Sequence, residues 1–215
     1  MRSTLSFCAI DGALVFLDIA ADRYFMLSRR DDDLVRSLID RPIADWPDEA
    51  KARLRQLGFL ADPPESGAAL RPMASLPCLQ DHRADPARSA NPGTVASVAW
   101  QLFRIRRALD RGRLAQLLDH HGAAQRTMRP TPPKRRLTTE LSVFAAARMA
   151  VPIRHNCLLD SLGLCAFLAS RAHHATLVIG VRIAPFRAHA WVQQGNALLN
   201  DDRERVNNFT PIRIA

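Results

Sequence analysis

Short apolar and alternating runs open the chain, and helical spacing follows them. Residues 13–18 read as a strand, 20–23 as a polar turn and 23–27 as a returning strand, which predicts a hairpin. Ser28 is placed to cap a helix whose first turn carries Asp31, Asp32 and Asp33, a plain helix start. Leu34, Val35, Leu38 and Ile39 recur at helical spacing. A second helix, from Pro47 to Leu57, stops at Gly58, and Phe59 and Leu60 are expected to pack back onto the core.

From Ala61 the periodicity is lost. Pro63, Pro64, Pro72, Pro77, Pro86 and Pro92 keep the segment irregular, with room for one short strand. Helical spacing resumes at Val95, Val98, Leu102, Ile105 and Leu109, and again at Leu114, Leu117 and Leu118. A third helix is predicted from Thr138 to Met149. The pattern therefore divides the chain into a unit over 1–62, a proline-rich linker over 63–93 and a second unit over 94–215.

The last third alternates a helix with strands. Asn156 is a favourable cap, so Cys157 falls on the first turn of a helix running to about Arg171, with Leu158, Leu162, Cys165 and Ala169 on one buried side. Residues 175–181 form an apolar strand suited to a sheet centre, and His189 lies on the next. A cysteine in an apolar helix is ordinarily a small core residue, and Cys165 is read that way. His120-His121 and His173-His174 sit at helix ends, where they complement the dipole.

Cys157 differs because of its position. A thiol at a helix N-terminus meets free backbone N–H groups that favour thiolate and that can hold an oxyanion. His189 could act as its base, and a carboxylate could fix the imidazole tautomer. The turn around Gln194-Gly195-Asn196 limits that carboxylate's position. Two-residue loops put Asn200 or Asp202 opposite His189, and the three-residue loop puts Asp201 there. The turn type alone chooses among the three.

Charge is divided unevenly. Residues 1–80 hold ten basic against twelve acidic side chains, and 81–215 hold twenty against nine, within a net +9. The basic half has few aromatics and no nucleic-acid motif, so no nucleic-acid partner is expected. No apolar run reaches membrane-spanning length, and the N-terminus has no secretory core, so a cytoplasmic location is expected. Cys8, Cys78, Cys157 and Cys165 form no metal or disulfide pattern, and no metal site is expected. No phosphate-binding loop is present.

Residues 156–162 (NCLLDSL), 175–182 (ATLVIGVR), Pro185-Phe186, 188–192 (AHAWV) and 199–201 (LND) resemble the leader peptidases of lasso-peptide biosynthesis. The intervals of 32 residues from Cys157 to His189 and 12 from His189 to Asp201 agree with that family. The resemblance implies an α+β chain whose C-terminal domain is a transglutaminase-like, papain-like cysteine peptidase. It implies Cys157 as nucleophile, His189 as acid/base and Asp201 as the orienting carboxylate. Leu17-Asp18 and residues 23–27 (RYFML) resemble the small winged-helix, PqqD-like element by which such proteins hold a precursor's leader. Tyr24, Phe25 and Met26 on the edge strand, with Arg53 and Leu57 on the helix, are the leader contacts it implies. The resemblance also implies a precursor peptide and an asparagine-synthetase-like cyclase as partners. Any ATP requirement would belong to that cyclase, with no cofactor bound here. Acyl transfer to an amine, and a non-catalytic peptide- or DNA-binding winged helix, are the competing readings.

Overall fold

The computed structural model describes residues 4–60, 70–73, 80–81, 88–127 and 134–215, apart from the side chains of 134–136. Most of the proline-rich linker, including Cys78, lies outside them. The chain forms two compact units, Met1–Ser75 and Leu76–Ala215.

The first unit is a three-stranded antiparallel sheet with two helices. Strands β1 (Leu5–Ile10), β2 (Ala13–Asp18) and β3 (Arg23–Met26) lie in chain order. Hairpin β2–β3 follows the predicted pattern. Strand β1 does not appear in that reading, although its turn has a clear signature. Asp11 and Gly12 both take positive φ (46° and 79°), as a two-residue primed turn requires.

Helix α1 (Arg29–Leu38) is capped by Ser28, which accepts from Asp31 N. Helix α2 (Asp48–Gln56) ends before Gly58, whose φ is +73°. The Phe16 ring packs with Phe7, Phe25 and Phe59 at centroid separations of 5.0–5.4 Å. The fully buried rings of Phe7, Phe16 and Phe59 each stabilise the unit by about 1.5–3 kcal/mol. Leu70 also lies in this core, 1% exposed, and Met73 N donates to Phe7 O. Part of the proline-rich stretch thus belongs to the first unit.

Asp31 is more than a helix start. It is buried, and Arg53 of α2 donates to both its oxygens at 2.7 and 2.8 Å. That pairing holds its carboxyl at about 2.

The second unit packs helices on a five-stranded sheet. Helices α3 (Pro92–Leu109), α4 (Leu114–Thr127), α5 (Lys134–Met149) and α6 (Cys157–Ala169) precede most of the sheet. The strands are β4 (Gln80–Asp81), β5 (Thr176–Ile183), β6 (Phe186–Gln194), β7 (Ala197–Leu198) and β8 (Thr210–Ile214), ordered β4-β7-β6-β5-β8. A short helix α7 (Arg203–Val206) joins β7 to β8.

Helix α6 sits between the other helices and β5–β6. It is therefore buried nearly all round, not on the single predicted side. Leu159, Leu164, Phe167 and Leu168 are buried along with Leu162 and Cys165, whereas Leu158 and Ala169 are only half-buried. Gly163 allows the close crossing with α3, because a Cβ there would lie 2.5 Å from Leu102 Cδ2.

Two histidine pairs also depart from expectation. His121 is buried with Nε2 2.9 Å from Ala175 O, and burial pushes its pKa down. His173 is wholly buried, and His174 Nδ1 lies 2.9 Å from Gln125 Oε1. His121 and His174 thus join α4 to the start of β5 rather than complementing helix dipoles at the surface.

Candidate active site

Cys157 is the first residue of α6, and Asn156 caps the helix by accepting from Leu158 N and Leu159 N, both at 3.1 Å. Those two N–H groups are therefore occupied. Cys157's own N–H is the first-turn donor without a hydrogen bond among the described residues, which narrows the expected oxyanion cradle.

His189 lies on β6 opposite Gly180 of β5. A side chain at Gly180 would force its neighbours to shift, since a Cβ would lie 2.7 Å from Trp191 Cζ3 and 3.0 Å from Phe209 Cβ. Trp191 and Phe209 flank the imidazole at centroid separations of 6.2 and 5.0 Å. His189 Nε2 hydrogen-bonds Asp201 Oδ2, which leaves Nδ1 for the thiol.

The structure brings Cys157, His189 and Asp201 together. Burial opposes the thiolate, but hydrogen bonds from His189 and from the backbone N–H of Ala190 outweigh it, so the thiol titrates below its ordinary value. The hydrogen bond to Asp201, then that to Cys157, raises His189 to about 9. Burial likewise opposes the Asp201 carboxylate, and the bonds from His189 and Asp202 N overcome it. Both shifts move the set toward a thiolate–imidazolium pair. A thiolate of this kind can attack an amide carbonyl, and the imidazolium beside it can protonate a leaving amine.

The observed turn is the two-residue one, Gly195-Asn196, with Gln194 opposite Ala197 and Gln193 opposite Leu198. Extended along the strand, that register would put Asp202 across from His189. The ladder ends first. After Leu199 N bonds Val192 O, the Asn200 side chain takes Val192 N and the chain turns away. Asp202 then caps α7 by accepting from Arg205 N at 2.8 Å, and Asp201 turns inward.

The supporting roles of Asn200, Ser161 and Arg148 are absent from the sequence reading. Asn200 Nδ2 donates to Ser161 Oγ (2.9 Å), and Ser161 donates to Ala190 O (3.1 Å). Arg148, only 4% exposed, donates to Asp160 (2.7 Å), to Val151 O (3.3 Å) and to Ile153 O (2.9 Å). It thereby pins the chain entering α6 to the helix itself. Ser161 sits one turn after Cys157, the only sequence cue that it shares a face with the thiol.

Of the other described cysteines, Cys8 and Cys165 are buried and inert by comparison. Burial pushes Cys8 up to about 12 and Cys165 higher still. Among the described residues no group of three or more His, Cys, Asp or Glu could hold a metal ion, and no helix is long and apolar enough to cross a membrane.

The transglutaminase-like superfamily model matches residues 99–214, more than half the chain. The chain belongs to the transglutaminase-like superfamily. Over 48 residues it is 46% identical to the microcin J25-processing protein McjB of Escherichia coli. That match covers 22% of this chain and 23% of McjB's length. No solved structure matches. In this transglutaminase-like unit, Cys157, His189 and Asp201 all fall inside the matched range.

Of the residues expected to hold a leader, Met26 is 57% exposed on β3, a strand at the sheet edge, and Tyr24 is half-buried. Phe25 and Leu57 pack against the core. Arg53 is already paired with Asp31.

Proposed function

We propose that this protein is a leader peptidase of lasso-peptide biosynthesis, cutting the amide between leader and core of a ribosomally made precursor. The arrangement of His189 between the Cys157 thiol and Asp201 carries this reading, and the partial likeness to McjB supplies the substrate class. In the proposed reaction the Cys157 thiolate attacks the scissile carbonyl, and Cys157 N–H faces the oxyanion. The His189 imidazolium gives its proton to the leaving amine and releases the core. His189 then takes a proton from water, whose oxygen attacks the thioester, and the leader departs as a carboxylate.

The first unit is assigned leader binding as a PqqD-like winged-helix element. A leader added beside β3 would meet Tyr24 and Met26 on the outward side, with Arg53 and Leu57 nearby on α2. An asparagine-synthetase-like cyclase would close the freed core, with ATP used by that partner and the whole process cytoplasmic. The basic surface of the second unit suits docking of such a partner.

The deciding experiment mixes the protein with a lasso precursor peptide and reads product masses. Wild type should yield leader and core with one added water, and Cys157→Ala should bind the precursor but leave it whole. Normal cleavage by Cys157→Ala would sink the assignment. The superfamily also favours one rival, acyl transfer, in which the leader product would carry an amine in place of water.

A further inference from the structure

Two arginines stand near the imidazole with no acid to meet them. Arg182 of β5 lies directly opposite Arg187 of β6, two residues along the ladder from Gly180 and His189. Side chains alternate between the faces of a sheet, so Arg187 shares a face with His189, and Arg182 with Gly180. Like charges directly opposed across a ladder destabilise it. Among the described residues neither arginine has a carboxylate within ion-pair distance, whereas Arg148, Arg171 and Arg205 of the same unit each have one.

Phe209 connects this pair to the site. Its ring centre lies 5.7 Å from the Arg182 guanidinium carbon and 5.0 Å from the centre of the His189 ring. Arg182 is half-buried, and its Nε is buried with no hydrogen-bond partner among the described residues. A buried N–H left unpaired costs free energy. A guanidinium is a planar fork that takes a carboxylate through two parallel hydrogen bonds. Arg187, directly opposite, is exposed. Positive charge is thus concentrated on a surface that opens to solvent beside His189.

We propose that Arg182 and Arg187 bind an acidic side chain of the substrate peptide and so select for Asp or Glu close to the scissile bond. The proposal deepens the peptidase reading and rests on it. Distance limits where that acid can lie. Two strand residues separate Arg187 from His189, about 6.6–6.8 Å. An extended chain covers about 3.3–3.6 Å per residue, which places the acid within about three residues of the bond that is cut. A carboxylate there relieves the repulsion between the two guanidinium groups. Both arginines act in binding and selection, and neither touches the reacting atoms.

The test uses synthetic peptides spanning the leader–core junction of a lasso precursor, with Glu or Gln placed in turn at each of three positions on either side of the cut. Binding to Cys157→Ala is read by fluorescence anisotropy, and cleavage by wild type as kcat and KM. At one position Glu should bind about tenfold more tightly than Gln, the order that charge-assisted hydrogen bonds supply. The cleavage preference should follow, through KM rather than kcat. Adding Arg187→Gln should bring the two peptides level, and Arg187→Glu should turn the preference toward Lys at that position. Arg187 is exposed, so these arms stand even if a change at half-buried Arg182 prevents folding. Equal binding of every Glu and Gln peptide, or a preference that survives Arg187→Gln, overturns the proposal. Cleavage with no acid preference does the same and leaves the peptidase reading in place. An acid preference in binding, with no peptide cleaved by wild type, would instead overturn the peptidase reading and leave the arginine site standing.

Discussion

Asn200 donates to the Ser161 hydroxyl at 2.9 Å, joining the segment that carries Asp201 to the helix that carries Cys157. Ser161 passes the connection to Ala190 O, beside His189. Three elements that each hold one reactive group are thus tied at one point. Ser161→Ala would leave the buried Ala190 O without its side-chain donor, costing about 1–3 kcal/mol. We expect kcat to fall while KM holds, with the pH midpoint of Cys157 alkylation shifted upward. Unchanged kcat and midpoint in a folded variant would show the tie to be structural only.

Asp201 and Asp202 separate cleanly by substitution. Asp201→Asn should lower kcat/KM by roughly 10³–10⁴, the order found when a hydrolase's orienting carboxylate is neutralised. Asp202→Asn should keep near-normal rates, because asparagine caps a helix as well as aspartate does. Asp202→Ala should lower the melting temperature slightly and spare turnover. The reverse ranking would move the carboxylate role to Asp202.

The two pKa shifts predict divergent pH profiles. Thiolate alkylation should persist below the ordinary thiol range, since His189 stabilises the anion. Peptide cleavage needs the imidazolium as well, so it should fall as pH rises through about 9 while alkylation continues. His189→Asn should move the alkylation midpoint up. The raised His189 value also contributes stability that is full below its ordinary value of 6.5 and lost as pH climbs through about 9. Thermal melts of wild type and His189→Asn across that window measure it.

Gly180→Ala tests the packing behind the imidazole. Its Cβ would press on Trp191 and Phe209, the two rings flanking His189. Overpacking of this kind costs about 1–3 kcal/mol. Activity should drop by more than the loss of folded protein explains, as circular dichroism and turnover on the same sample would reveal.

Arg148→Met should be strongly destabilising, by about 3–5 kcal/mol, because at a largely buried site Asp160 loses its guanidinium and keeps only His155, 3.0 Å away. Chemical denaturation gives the value. The paired change Arg148→Met with Asp160→Leu should recover much of it.

Local chemistry along the chain settled a good deal. Asn156 before an apolar run specifies a capped helix with Cys157 at its head, because an amide side chain satisfies two orphan N–H groups. The apolar run at 175–181 specifies a central strand, and Gly195 specifies the turn that follows β6. Strand β1 was legible too, through Asp11-Gly12.

Tertiary structure decided the rest. Strand register follows the ladder only while the ladder lasts, and β7 pairs for two residues before α7 claims Asp202 as its cap. No turn count could foresee that, so only the folded chain separates Asp201 from Asp202. Burial of His121, His173, Ser161 and Arg148 depends on which elements pack over them, and residue type alone gives no sign of it.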